Sequence, residues 1–431
     1  MKKIFLIGLI AMLFTTACED LEQFPPNIAS ADSLTDFTDV LNAAYYYQQG
    51  ASTPMAVMGD FRADNMLMQE APYTDFSEFN NNLSSSMEDQ FFRPFYANLY
   101  KSILSANNVI ENGTDATQIA EAKFLRGLSY FKLAIVFGDV PLNLSGSPST
   151  TDASILARQP VASIYTQVVS DLTDALVLDN SGLSEGRASS IAVNALLGKV
   201  YVYMADFGTA QGYLEDAISE SAMEGVVLES STSNVLSDGN SEIIFATQKS
   251  VAWGDEYGFS EFTVWYDGSE DKAQPPLNPS LTAAFDAAGD TVRKALTIDE
   301  VAEKGVKYSG GLENDWIEIR LSDVILLLAE TMNENNVAAN TVLPLLDDIR
   351  TRAGLASLTG TVTSKDDVRT AILNERRLEL AFEGQRWFDL VRTGTVDAAM
   401  GVTVNSNYYV FPIPNSEIDA TNGVITQNTG Y

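Results

Sequence analysis

Residues 374–394, NERRLELAFEGQRWFDLVRTG, decide how the rest of the chain is read. Leu373, Leu380, Trp387 and Val391 recur at steps of seven, seven and four, and Leu378, Phe382 and Leu390 widen the same face. That periodicity predicts one long, largely buried helix and its exit. The stretch also carries Glu375, Arg376, Arg377, Glu379, Glu383, Arg386, Asp389 and Arg392. Charges on a buried helix must be paired or hydrogen-bonded, because a lone buried ion is strongly destabilising. Among the spacings along the helix, Glu383 with Arg386 is the pair it closes by itself. The other partners must come from distant segments, so this helix ties the ends of the chain together.

Around it, helix follows helix. Leu34, Phe37, Leu41 and Tyr45 mark 33–48, which opens on a capping-box-like Ser33-x-x-Asp36. Three- and four-residue steps of Phe92, Phe95, Tyr96, Leu99 and Ile103 mark 91–110, and Phe124, Leu128, Phe131 and Ile135 mark 118–137, which ends at Gly138 with Pro141 beyond. Further helices are read at 161–177, 188–207, 210–221, 321–334, 337–352 and 365–391. Leu197-Gly198-x-x-Tyr201, the Asp206-Phe207-Gly208 turn, then Ala210-x-x-Tyr213 and Ala217 follow the tetratricopeptide pattern, in which Gly198 lets the partner helix approach and Tyr201 fills the groove. About four such helix pairs, stacked into a right-handed superhelix, give a mainly all-α, tetratricopeptide-type scaffold with long irregular insertions and a few short strands. The insertions are 50–86 and 224–310, the second with β-like runs at 242–247 and 259–265. Loops that long are uncommon unless functional.

Composition narrows the function. The 431 residues are 45% apolar, and the formal net charge is −32. That charge argues against nucleic acid and anionic lipid as partners and favours neutral or cationic ones. With no histidine and one cysteine, the chain lacks the commonest general base, every Ser-His or Cys-His arrangement and any internal disulfide. No loop has EF-hand spacing, so no metal or other cofactor is expected.

The start reads as a targeting segment. Lys2 and Lys3 precede an apolar run of about eleven residues, 4–14, too short to span a bilayer. Thr15-Thr16-Ala17-Cys18 resembles a bacterial lipobox, with Thr15 where leucine is usual, so 1–17 is read as a lipoprotein signal peptide and Cys18 as the lipidated N-terminus. Residues 18–30 form an acidic, Pro-containing tether and 31–431 one domain. Glu19, Asp20 and Glu22 look like a signal for export to the outer face of the outer membrane.

Several stretches together resemble the SusD/RagB family of outer-membrane lipoproteins: 120–131, AEAKFLRGLSYF, running into 137–142, FGDVPL; Arg187-Ala188-Ser189; 319–324, IRLSDV, with Ala329-Glu330; 349–354, IRTRAG; the 374–394 helix; and the ending 411–419, FPIPNSEID, with 426–431, TQNTGY. The resemblance runs in order over essentially the whole mature chain. These motifs are structural, and Arg126, Arg187, Glu375, Arg376 and Arg386 are read as scaffold ion pairs. The resemblance implies a surface glycan-binding lipoprotein that captures oligosaccharide, closes as a lid over a SusC-like TonB-dependent transporter, and performs no bond chemistry. Peptides or other nutrients, or a tetratricopeptide interaction role without glycan specificity, are the alternatives. A two-carboxylate glycosidase is weighed too, but the many acidic residues make any such pair uninformative and the family gives it no support.

Sugars present weakly apolar C–H faces ringed by hydroxyls, which aromatic rings stack on and Asp, Asn, Gln or Arg bond. The candidates are therefore aromatics of the second insertion, Trp253, Tyr257, Trp265 and Tyr266, although Trp265 and Phe262 equally suit that insertion's core. Arg62, Asp64, Asn65 and Tyr73 in the first insertion come next, with Asp64 and Asn65 also suited to fixing their loop. Trp316 and Trp387 adjoin scaffold motifs and are expected in the core; Tyr45, Tyr46 and Tyr47 are left out.

Overall fold

Helix starts in this chain are set by short polar side chains that take an otherwise orphaned backbone N–H. Asp115 accepts from Thr117 and Gln118, Ser189 from Ala192, Asp206 from Thr209, Asp290 from Arg293 and Ser364 from Asp367. The structure is a computed structural model, described over residues 34–431 except 84–86, 150, 254–259, 271–272 and 309–311. Its principal helices are Thr38–Gln48 (α1), Ser52–Asp60 (α2), Arg93–Asn112 (α3), Ala116–Phe137 (α4), Val161–Ala175 (α5), Ser190–Tyr203 (α6), Phe207–Glu224 (α7), Phe262–Tyr266 (α8), Pro279–Ala288 (α9), Thr291–Thr297 (α10), Leu321–Glu334 (α11), Ala339–Arg352 (α12), Lys365–Glu379 (α13) and Arg386–Arg392 (α14). The longest strands, Ile243–Thr247 (β1) and Trp316–Arg320 (β2), pair antiparallel, Ile243 opposite Arg320 and Thr247 opposite Trp316.

Helices pack on their sequence neighbours in a tetratricopeptide-type scaffold: α3 on α4, α4 on α5, α6 on α7, then α7 on α11 and α11 on α12 and α13. Within α6 and α7 the small residue does what its position predicts. A Cβ on Gly198 would lie 2.5 Å from the Leu214 side chain, so the helices meet backbone to side chain there. Tyr201 is half-buried and stacks on Tyr213, ring centroids 5.6 Å apart, rather than filling a closed groove. Trp316 and Trp387 are in the core, as expected.

Four features depart from the sequence reading. The first helix begins at Thr38, with Asp36 accepting the Thr38 N–H; Ser33 of the expected capping box lies outside the described residues. The first insertion contains α2, whose residues Ala56, Val57, Met58, Gly59 and Asp60 are all buried. A helix covered on every side shows no polar stripe, so periodicity misses it. In the second insertion 262–266 is helical, not extended, and α9 and α10 follow it; Phe262, Trp265 and Tyr266 stand at the i, i+3, i+4 spacing of one buried helical face.

The fourth departure is in 374–394. The long helix is two: α13 stops at Glu379 and α14 starts at Arg386, with left-handed backbone at Phe382 (φ 66°) and Gly384 (φ 67°) between them. The cause is a backbone-on-backbone contact with α2. A Cβ on Gly59 would lie 2.0 Å from the Gly384 carbonyl oxygen. Phe382, a bulky residue in a region that favours glycine, is held there by packing, its buried ring 4.9 Å from that of Tyr266.

The break redirects the charges. Glu383 does not pair with Arg386; it accepts from Lys307 (2.5 Å) and Arg320 (2.8 Å), while Arg386 binds Asp64 (2.8 Å). Glu379 meets Arg352 (2.5 Å), Arg320 (2.8 Å) and Arg293 (2.9 Å), and Glu375 meets Arg293 (2.6 Å) and Arg350 (3.1 Å). Arg376 bridges Asp323 (2.7 Å) and Asp389 (2.9 Å), and Arg392 binds Glu330 (2.5 Å). Arg126 pairs with Asp171 and Arg187 with Glu121. These are the distant partners that the charged stretch demands, and they make it the clasp of the fold.

Candidate functional site

Where α1 runs out, a cleft of about 290 Å³ opens between that helix, the 185–187 loop and the end of β1. Tyr45 is fixed at its wall: its hydroxyl donates to Glu121 Oε2 (2.5 Å) and accepts the Ala188 N–H (3.0 Å). Desolvation, with the Glu121 carboxylate beside it, holds this phenol well above the ordinary tyrosine value, so it stays a donor. Arg187 gives Nε–H to Glu121 (2.7 Å) and Nη1–H to Asn42 (3.1 Å), and its guanidinium carbon lies 4.7 Å from the Tyr45 ring centroid. The pair is thus both scaffold and cleft wall.

Phe245 of β1 closes the floor, edge-on to Phe124 at 5.1 Å. Thr247 beside it donates to Glu318 (2.7 Å), which also holds the buried Lys132 (2.5 Å). At the mouth Gly186 adopts φ +68°, and a Cβ there would lie 2.4 Å from Gln248 Nε2, so the exposed Gln248 side chain lies across the glycine. Half-buried Tyr46 lines the cleft, edge-to-face with Tyr47 at 5.5 Å. Gln49 is 6% exposed, and its side-chain carbonyl takes no hydrogen bond among the described residues. Its backbone carbonyl is held by the Lys249 ammonium at 2.9 Å. Aromatic side chains, amides and one matched cation together form a surface whose chemistry suits hydroxylated, weakly apolar molecules.

The sequence-selected residues fall differently. Trp265 and Tyr266 are 0% and 2% exposed and so offer no face to a sugar. The Trp265 ring packs on Phe91 at 5.1 Å and Phe61 at 6.2 Å, while Tyr266 stacks on Phe61, Tyr308 and Phe382. They are the core of the insertion because α8 turns them inward onto α2. Arg62, Asp64 and Asn65 are buried too. Arg62 donates to the carbonyls of Phe76 (2.5 Å) and Tyr408 (3.2 Å), and burial lowers its pKa to about 10. Asp64 accepts from Arg386 and Arg377, and Asn65 donates to Asp60 (3.0 Å), so both fix their loop. Tyr73 is half-buried and donates to Gln90 (2.5 Å). Trp253 closes a short turn, Val251–Trp253, a few residues beyond the cleft residue Gln248; its side chain, Tyr257 and Cys18 lie outside the described residues. Sequence alone passes over the cleft tyrosines, because a run of identical aromatics on one helix does not say which points where.

Asp60 joins these pieces. Fully buried, it accepts from Tyr266 Oη (2.8 Å), the Gly384 N–H (2.9 Å) and Asn65, with no ion-pair partner among the described residues. Burial pushes its carboxyl up to about 6. The folded chain therefore holds a proton that the unfolded chain releases over roughly pH 4–6. Asp60 thus makes folding stability fall as pH rises through that window, each tenfold gain in proton affinity on folding being worth about 1.4 kcal/mol. Asp60→Asn should flatten that slope when urea midpoints are measured from pH 4 to 6; a slope identical to wild type would refute the assignment.

Comparison with known proteins gives a consistent set. A family model described as SusD family matches residues 286–403, and one described as Starch-binding associating with outer membrane matches 18–202. SusD-like protein P2 of Formosa agariphila is 23% identical over the full length of both chains. A solved laminarin binding SusD-like protein superposes with TM-score 0.74 at 25% identity, over 92% of this chain and 99% of its own. Surface glycan-binding protein A of Bacteroides fluxus does so with TM-score 0.74 at 21% identity, over the same shares of each chain, which shows the shared fold. No helix among the described residues is long and apolar enough to cross a membrane.

Proposed function

The chain belongs to the SusD family, and from that premise we propose that it is a glycan-binding protein of the outer membrane that captures oligosaccharide without cleaving it. The cleft between α1 and β1 carries this reading. It offers Tyr45 and Tyr46 as apolar faces over the buried Phe245, and Asn42 and Gln248 as hydroxyl partners. The family description that names starch binding and the outer membrane, and a relative named for laminarin, support the same ligand class. Trp253 and Tyr257, which follow the lining residue Gln248 in sequence, are proposed to extend the stacking surface. Lipidation at Cys18 would tether the domain 31–431 to the outer face of the membrane through residues 18–30. There it would act as lid to a SusC-like TonB-dependent transporter, through which energy for uptake would come from the inner membrane.

Calorimetric titration of residues 19–431 against plant, host and microbial oligosaccharides tests the proposal. Saturable binding without new reducing ends is the expected result. Tyr46→Ala and Trp253→Ala should each weaken it roughly tenfold or more, the scale of one lost aromatic contact. Binding left intact in both variants moves the site elsewhere, and silence across the panel defeats the glycan reading.

A further inference from the structure

We infer that the cleft selects neutral glycans and rejects those bearing sulfate or uronic acid groups, an inference that rests on the glycan-binding reading above. The charge at the cleft leads to it. Arg187 is the one cation among the described lining residues, and its charge is already matched by Glu121 at 2.7 Å. The same guanidinium lies against the Tyr45 ring and is bonded to Asn42, so turning it toward a ligand would break three interactions at once. Lys249, next to the lining residue Gln248, is 7% exposed with its ammonium on the Gln49 carbonyl. Glu185 stands exposed at the mouth. With Arg187 matched by Glu121 and the Lys249 ammonium buried on a backbone carbonyl, the exposed charge among the described lining residues is the Glu185 carboxylate, on a chain whose formal net charge is −32. A sulfate or carboxylate entering it would be desolvated beside like charge and meet no uncommitted cation among these residues.

The hydrogen-bond chemistry points the same way. Exposed Asn42 and Gln248 are amides, each with both donor and acceptor groups. A sugar hydroxyl also donates and accepts, so it can satisfy either end. A sulfate or carboxylate only accepts, so it can use the N–H end of an amide and is set oxygen against oxygen at the carbonyl end. Half-buried Tyr46 then suits the C–H face of an uncharged ring.

The test titrates the whole mature chain with two matched sets of oligosaccharides, neutral β- and α-glucans and sulfated or uronate oligomers of the same length, at low and high salt. Neutral sugars should bind with an affinity that salt hardly changes, and Gln248→Ala and Tyr46→Ala should each reduce it about tenfold. Circular dichroism of both variants checks that they remain folded. An anionic oligomer that binds, and is weakened by Gln248→Ala or Tyr46→Ala, overturns the selectivity while leaving glycan capture intact. Neutral binding untouched by both substitutions overturns the assignment to this cleft. If neither set binds, the glycan reading itself fails.

Discussion

Replacing Arg320 with alanine should remove a large part of the chain's stability. The side chain is 1% exposed and donates to Glu383, Glu379 and Glu242 and to the Glu379 backbone carbonyl. Removing one partner of a buried ion pair costs about 3–5 kcal/mol, set against a typical total of about 5–15 kcal/mol. The matched control is Arg93, whose pair with Asp89 sits on the surface at 49% and 82% side-chain exposure. Arg93→Ala should cost less than about 1 kcal/mol. Arg320→Lys keeps the charge but loses the fork that reaches three carboxylates, so its urea midpoint should lie between the two. Acid should narrow the gap between wild type and Arg320→Ala. Glu379 and Glu383 are held below the usual glutamate range, although burial opposes it, because Arg320 and its neighbouring cations favour the ionised form. The stability this gives is present above the unfolded value and is lost as pH falls below it. Equal midpoints for Arg320→Ala and Arg93→Ala would refute the account of the clasp.

Gly59→Ala should be as damaging for a different reason. The new methyl would sit 2.0 Å from the carbonyl oxygen and 2.2 Å from the carbonyl carbon of Gly384, and backbone cannot swing aside as a side chain can. Moving Gly384 instead would disturb its φ of +67° and its hydrogen bond to Asp60. A cost of roughly 3 kcal/mol or more is expected, at or beyond the upper end for overpacking. Gly212, inside α7 with open space around it, is the contrast. Gly212→Ala should stabilise by about 0.5–1 kcal/mol, the ordinary helical preference of alanine. Thermal or urea midpoints of the two variants decide it, and a harmless Gly59→Ala would show that the contact is loose.

How far the sequence can be read follows from what each residue type reveals. The buried charges of 374–394 announce the need for distant partners, because the cost of an unpaired ion is independent of where the partner lies. The break at 380–385 stays hidden: Leu373, Leu380, Trp387 and Val391 keep a helical rhythm across it, and the reason for the break, Gly59, is more than three hundred positions away. The Glu383–Arg386 pairing fails with it. Residue type alone draws Trp265 and Tyr266 to the ligand, whereas their spacing from Phe262 already describes an inward-facing turn. For the cleft, the relevant unit is the junction of 42–49, 185–187 and 245–248, three segments with no common motif.

The clasp also has a direction in time. Chains are made from the N-terminus, and Glu242, Arg293, Lys307, Arg320, Asp323 and Arg352 all precede residue 374. Glu242 can already meet Arg320 and Arg352, Arg293 has Asp290 and Asp323 has Lys199, but Lys307 has its ion-pair partner in Glu383, and Arg320 has two of its three carboxylates in Glu379 and Glu383. Collapse before residues 375–383 are made would bury Lys307 unpaired and leave Arg320 short of carboxylates, so closing the native arrangement is favoured only once the polypeptide is nearly finished. The cross-linking helix thus works as a delay, keeping an incomplete chain open and in need of protection against premature association.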